Sequence, residues 1–216
     1  MSCFKDEHHV YRFDALAAIE WLDHGFGTRH SAGFDALAAA TVRQVHSDRV
    51  LRVVDGPGCV GEGDALMTDR AGIRLAVRTA DCVPVLLADT RRRVIAAVHA
   101  GWRGTLAAIS RKTVDRMRDA YGSEPADIAA AIGPRIGGCC FEVGREVAAL
   151  FRAGVEDKVH LDLAALNRGQ LLEAGLSSRQ IHVADLCTRC EAGEFHSFRR
   201  DRERAGRMVS SVLLRG

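Results

Sequence analysis

The chain has no uninterrupted apolar stretch approaching the length of a membrane span. Its first ten residues are polar and carry Asp6 and Glu7, without the apolar core that an export signal needs. These two absences lead to the expectation of a cytoplasmic protein. Strong charge bias is also missing. The formal net charge is +2, so no long-range field draws the chain to nucleic acid or to a membrane surface. Linkers are lacking too, because no segment is rich enough in proline, serine or charge to separate domains. Residues 1–216 are therefore expected to form one domain, a length that buries a sizeable core.

Seven cysteines are present, an odd number that excludes complete internal pairing. Without an export signal the thiols are expected to stay reduced and available for chemistry or metal. Basic residues are dispersed except at Arg91–Arg93, which reads as a solvated turn beside Asp89 and Thr90, and along Arg199–Arg207.

Apolar spacing predicts a helix over Asp14–Leu22, then a turn-rich segment marked by Gly25, Gly27 and Gly33. The string Phe-Asp-Ala-Leu-Ala-Ala recurs at 13–18 and 34–39 and reads as alanine-rich helix composition, since a solenoid needs further copies. From Thr41 the pattern turns to short β-branched runs. These are Val42–His46, Val50–Val54, Ala65–Thr68, Ile73–Val77, Val83–Asp89 and Val94–His99. Thr105–Tyr121 is predicted as one helix stopped by Gly122, and Ile128–Ile132 as a strand. Glu146–Phe151 and Leu163–Ala174 read as helices, Ile181–Ala184 and Met208–Leu214 as strands. Strands cluster early and mix with helices later, which argues α+β rather than a doubly wound parallel sheet.

Three segments share a design. His46 ends an apolar strand, Cys82 precedes one, and His99 ends another before Gly101-Trp102-Arg103-Gly104. Each sets a ligand-type side chain where a buried strand meets a loop, the usual place for a site. Two imidazoles and a thiolate make a catalytic Zn²⁺ set with one position left open. The same residues also fit a Cys82 nucleophile with a histidine base, or a buried apolar Cys82 beside core-edge histidines.

The Gly101–Gly104 turn suits either anion binding by backbone N–H groups or a tight strand-to-helix connection with Trp102 in the core. Arg29, Arg199 and Arg200 are the best phosphate candidates, because a guanidinium fork matches phosphate oxygens. Cys187-Thr188-Arg189-Cys190 has the spacing of half a zinc knuckle. Cys139-Cys140 is adjacent and does not supply the second half in the usual form, so packing or site-lining thiols are the favoured reading.

Together the strings resemble the YfiH-like laccase-domain family of purine nucleoside phosphorylases, formerly described as multicopper polyphenol oxidoreductases. Gln44-Val45-His46, Gly63-Asp64-Ala65-Leu66, Ala80-Asp81-Cys82-Val83-Pro84 and His99-Ala100-Gly101-Trp102-Arg103-Gly104-Thr105 carry the match. Ile132-Gly133-Pro134-Arg135-Ile136-Gly137, Cys139-Cys140-Phe141-Glu142-Val143-Gly144, Ser197-Phe198-Arg199-Arg200-Asp201 and Gly206-Arg207-Met208 extend it along nearly the whole chain.

The resemblance implies a layered α/β/β/α sandwich with mixed sheets, similar to the catalytic domain of deamidating cytotoxic toxins. It implies Zn²⁺ on His46, Cys82 and His99, with copper as the older assignment. It implies phosphorolysis of adenosine, inosine, guanosine and S-methyl-5′-thioadenosine by a bacterial monomer, with adenosine deamination as a side activity. Its small-molecule partners would be purine nucleosides and phosphate, held by Arg29, Asp64, Arg103, Arg199 and Arg200. Asp81, Asp64 or a metal-bound water would protonate the leaving purine.

Two other activities attach to the family, polyphenol oxidation and editing hydrolysis of cell-wall precursors. The first would require far more histidine than the nine present, which include no His-x-His pair. A binding module without turnover is the non-enzymatic alternative. The chain departs from the family pattern in the short Ser31–Arg43 stretch and in Arg202-Glu203-Arg204 after Asp201.

Overall fold

The computed structural model describes residues 2–31, 38–151 and 157–216. The second copy of the alanine-rich string lies largely outside the described residues. In chain order the first strands are β1 (Cys3–Lys5), β2 (Val10–Phe13), β3 (Leu22–Gly27), β4 (Ala40–Arg43), β5 (Val50–Arg52), β6 (Gly58–Glu62) and β7 (Ala65–Thr68). They continue with β8 (Arg74–Thr79), β9 (Val83–Asp89), β10 (Val94–Ala100), β11 (Ile128–Ile132), β12 (Glu142–Val143), β13 (Val159–His160), β14 (Ile181–Val183) and β15 (Met208–Leu214). The helices are α1 (Asp14–Ala17), α2 (Trp102–Leu106), α3 (Ile109–Tyr121), α4 (Arg145–Phe151), α5 (Leu163–Glu173) and α6 (Phe198–Asp201).

Two mixed sheets pack face to face, giving the expected layered α+β fold. One has the order β1-β2-β3-β15-β8-β4-β6, the other β14-β11-β9-β10-β7-β5. β4 runs parallel to β6 and β8, β5 to β7, and β11 to β14, while the other pairs are antiparallel. The two-residue side-chain period of a strand divides the second sheet between two cores. Leu86, Ala88, Ile95 and Ala97 face the first sheet and meet Phe26, Leu75 and Val212. Val85, Leu87, Ala96 and Val98 face outward and are covered by Ile109, Val114 and Met117 of α3 and Leu171 of α5. No helix among the described residues is long and apolar enough to cross a membrane.

The period also places the candidate site. Val98 pairs with Ala65 and His99 with Pro84, so the end of β10 lies beside the starts of β7 and β9. Asp64, Cys82 and His99 therefore come together at one end of this sheet, all in register with its inward row. A one-residue slip of β10 would turn His99 to the helix side.

Most predicted strands form, but three readings require correction. The helix predicted over Asp14–Leu22 lasts one turn, because Leu22–Gly27 is drawn into the sheet beside β15. Gly25 and Gly27 therefore lie in a strand rather than a turn. The helix predicted over Thr105–Tyr121 is two helices broken at Ala108, whose φ is 59°. The Thr105 carbonyl, which a continuous helix would spend on Ile109, is taken by the Gln170 side-chain amide of α5 at 2.6 Å. Tertiary contact thus overrides the helix preference of Ala107-Ala108. The pairing of β6 with β4 was not signalled by the glycine-rich Gly58–Glu62 segment.

Candidate functional site

Asp64 organises the site from below. Its carboxylate is fully buried. It accepts the backbone N–H groups of His46 at 3.0 Å and Ser47 at 2.6 Å, the Ser47 hydroxyl at 2.7 Å, and a His99 Nδ1 contact at 2.8 Å. Burial would push this carboxyl up, but the hydrogen bonds from His99 and Ser47 prevail and hold it at about 2. One anion thereby fixes the ring of His99 and the loop that carries His46. With Nδ1–H donated to Asp64, Nε2 of His99 is the nitrogen left for a ligand.

His46 and Asp81 both have left-handed backbones, with φ of 59° and 86°. Such geometry is unfavourable for residues with a side chain, and it gathers where a local shape is enforced by its surroundings. At His46 the enforcement comes from Asp64. At Asp81 it comes from three other segments: the carboxylate accepts from the Thr188 hydroxyl and the Arg199 N–H, each at 2.6 Å, and the carbonyl accepts from the Ile136 N–H at 2.9 Å.

The donor atoms of His46, Cys82 and His99 lie within 4.8 Å of one another, and the two imidazoles are nearly perpendicular. Burial would push the Cys82 thiol up, yet its contacts with His46 and His99 outweigh that and bring it to about 6. His99 is pushed down by burial, but Asp64 and Cys82 raise it to about 9. A Cβ added to Gly101 would sit 3.0 Å from His46 Cδ2 and 3.1 Å from Cys82 Sγ. Glycine thus keeps the backbone close against this pair. Gly104 packs likewise on the Ser47 carbonyl. The Gly101–Gly104 segment is a tight strand-to-helix turn, and α2 has only five residues. A thiolate with two imidazoles matches the donor chemistry of Zn²⁺, and the exposed rim leaves room for a further ligand.

These three residues open into a cavity of about 800 Å³. Its rim carries Arg78, Arg103, Arg199, Arg202 and Arg207, and its walls include Trp102, Ile136, Phe141 and Phe198. Arg103 stacks on Trp102 at 4.2 Å, and Arg199 reaches the Glu142 carbonyl at 2.7 Å beside the Phe141 ring. Gln44 completes the wall by pairing with the backbone of Arg78 in both directions at 2.8 Å.

Of the predicted contact residues, Arg103 and Arg199 line the cavity. Arg29 does not, since it binds the Ala192 carbonyl at the surface. Arg200 does not either, because its guanidinium is held by Asp201 and the carbonyls of Thr188 and Phe195. Asp64 lies beneath the histidines instead of touching the cavity. Arg78, Arg202 and Arg207 were not singled out. Alternation along β8, the basic run Arg199–Arg207 and the Gly206-Arg207-Met208 string were the signals for them.

Cys139, Cys140, Cys187 and Cys190 converge, with all four sulfurs within 4.8 Å of one another.

A family model described as multi-copper polyphenol oxidoreductase laccase matches residues 27–215. The chain belongs to this laccase-domain family. A purine nucleoside phosphorylase of Deinococcus radiodurans is 44 % identical over 190 residues, covering 84 % of this chain and 72 % of its own length. An adenosine deaminase from an unknown prokaryotic organism is 35 % identical over 216 residues, covering 90 % and 82 %. The crystal structure of the hypothetical protein YfiH of Bacillus licheniformis superposes with a TM-score of 0.89 at 30 % identity, covering 99 % of both chains. The family description thus speaks of copper oxidation, whereas these curated laccase-domain relatives are named for nucleoside chemistry.

Proposed function

We propose that this laccase-domain chain, acting as a single domain, is a purine nucleoside phosphorylase with adenosine deaminase side activity. The substrates proposed are adenosine, inosine, guanosine and S-methyl-5′-thioadenosine. The observation that carries the reading is the His46–Cys82–His99 constellation on the floor of an arginine-rimmed cavity. Its donors fit Zn²⁺, which when bound supplies Lewis acidity at the cavity floor.

The chain's own residues perform the remaining tasks. Arg103 and Arg207 face the cavity as fixed cations that suit a phosphate dianion. Trp102, Phe141 and Phe198 offer the flat apolar surfaces that a purine stacks on. A phosphate oxygen then bonds to C1′ as the bond from C1′ to the purine nitrogen breaks. The electron pair leaves with the purine, which takes up a proton while the hydrogen phosphate, now an ester, gives its own up. The ribosyl group is cationic in the transition state, and the adjacent phosphate stabilises it.

Asp64 is an unsuitable acid for the leaving purine, being ionised, buried and saturated with donors. Asp81 spends both carboxylate oxygens on Thr188 and Arg199. Both carboxylates are therefore assigned to positioning.

The oxidase alternative fits the donors less well. Among the described residues only two clusters offer three or more metal ligands, and just two of their members are histidines. The deciding experiment incubates purified, zinc-loaded protein with adenosine and phosphate. Ribose 1-phosphate with adenine is expected, together with a smaller yield of inosine. No product above a Cys82→Ala control would sink the proposal.

A further inference from the structure

We infer that Cys139, Cys140, Cys187 and Cys190 form a second metal site, a closed tetrathiolate site for Zn²⁺ that staples the loop leading into the cavity wall to the loop that holds Asp81. The sulfurs are 3.7 Å apart for Cys139 and Cys140, 3.8 Å for Cys139 and Cys190, and 3.4 Å for Cys140 and Cys190. A tetrahedral ion with Zn–S bonds of ~2.3 Å requires sulfur separations of ~3.8 Å. The same separations are far from a disulfide, whose sulfurs lie ~2.0 Å apart.

Adjacent cysteines point to opposite sides in a strand, which is why Cys139-Cys140 looks unsuitable as a ligand pair. Here they lie in a turn. The N–H groups of Cys140 and Phe141 both donate to the Gly137 carbonyl, at 2.9 and 3.0 Å. This curl brings both thiols to one side. The facing pair is built in the manner of a zinc knuckle, with the N–H of Gly137 reaching Cys187 Sγ at 3.2 Å and those of Arg189 and Cys190 also directed to that sulfur. Backbone N–H donors around a sulfur suit a ligating thiolate, whose charge they offset. Gly137 leaves the cluster closed, since a Cβ there would lie 3.1 Å from Cys139 Sγ and 3.5 Å from Cys187 Sγ.

The staple has a clear mechanical position. The turn 137–140 leads directly into Phe141, Glu142 and Val143 of the cavity wall. The turn 187–190 holds Thr188, the hydroxyl donor to Asp81. A backbone bridge from Arg135 to Cys187 and the Gly137 N–H contact with Cys187 Sγ also tie these segments together. With no open coordination position, the ion is structural.

The test counts metal with the first cluster removed. A His46→Ala/Cys82→Ala/His99→Ala variant, reduced and dialysed against Zn²⁺, is expected to retain one ion per chain. Adding Cys187→Ser and Cys190→Ser is expected to remove it. A folded triple variant with no bound Zn²⁺ overturns the inference. If the triple variant does not fold, Co²⁺ titration of the unmodified chain decides instead. Intense thiolate-to-cobalt absorption is expected, most of it lost in Cys187→Ser/Cys190→Ser. Absorption unchanged by that double substitution overturns the inference. Because metal counting needs no nucleoside, failure here is distinguishable from failure of the phosphorylase proposal.

Discussion

Asp64 Oδ1 lies 2.8 Å from His99 Nδ1, with the carboxylate fully buried and the imidazole nearly so. The same carboxylate also holds the backbone of His46 and Ser47. Asp64→Asn keeps the shape but replaces one acceptor oxygen by an NH₂ group that faces existing donors. Zn²⁺ affinity at the first cluster is expected to fall about 10- to 100-fold, the usual cost of removing an outer-shell partner. Chelator competition measures it, and unchanged affinity would remove Asp64 from this role.

Gly101 is close to two of the proposed ligands, and its φ of −70° is open to any residue. Gly101→Ala therefore tests sterics without backbone strain. Its Cβ would press on His46 and Cys82 while leaving the strand-to-helix turn intact. Weaker Zn²⁺ binding and lower turnover are expected with a nearly unchanged melting temperature.

Arg103→Ala separates phosphate binding from the remainder of the reaction. The side chain is exposed and stacks on Trp102. A charge-assisted hydrogen bond contributes about 1.5–3 kcal/mol, so KM for phosphate is expected to rise by roughly 10- to 100-fold. Adenosine deamination uses water and is expected to change little. Equal losses in both reactions would place Arg103 elsewhere in the mechanism.

His24 sets an acid limit on stability. Burial and the neighbouring Arg12 lower it from 6.5 to about 4, and its Nε2 accepts the Phe13 N–H at 3.0 Å. Because its folded value lies below the unfolded one, the unfolded chain binds more protons between those two pH values. Stability is thus expected to fall as pH drops from about 6.5 to about 4, by roughly 3 kcal/mol at ~1.4 kcal/mol per pH unit. Urea unfolding at pH 7.5 and 4.5 measures this. His24→Gln retains an acceptor and is expected to show a shallower pH dependence.

The central strands were legible because burial imposes simple patterns on them. Ala65–Thr68, Val83–Asp89, Ile128–Ile132 and Met208–Leu214 form as read. The first three are nearly continuous apolar runs, as suits strands covered on both faces. Leu22–Gly27 was obscured by its glycines, although its Phe26 is a buried core residue packed against Gly133. Cys82 and His99 were visible as ligand-type side chains at strand ends, whereas His46, read as the end of a strand, lies three residues beyond β4. Their convergence required strand register, which links positions far apart in the chain. The four-cysteine cluster was hidden for a related reason. About fifty residues separate its halves, and the turn that aligns Cys139 with Cys140 has no marker other than the Gly137-Gly138 pair.

The left-handed backbone of His46 sets two selections against each other. Glycine tolerates that geometry freely, whereas a residue with a side chain gives up about 1 kcal/mol or more. A library at position 46 screened for heat resistance of the metal-free chain is expected to enrich glycine. The same library screened for turnover is expected to discard it. On the proposed ligand role, position 46 trades backbone stability for a donor atom.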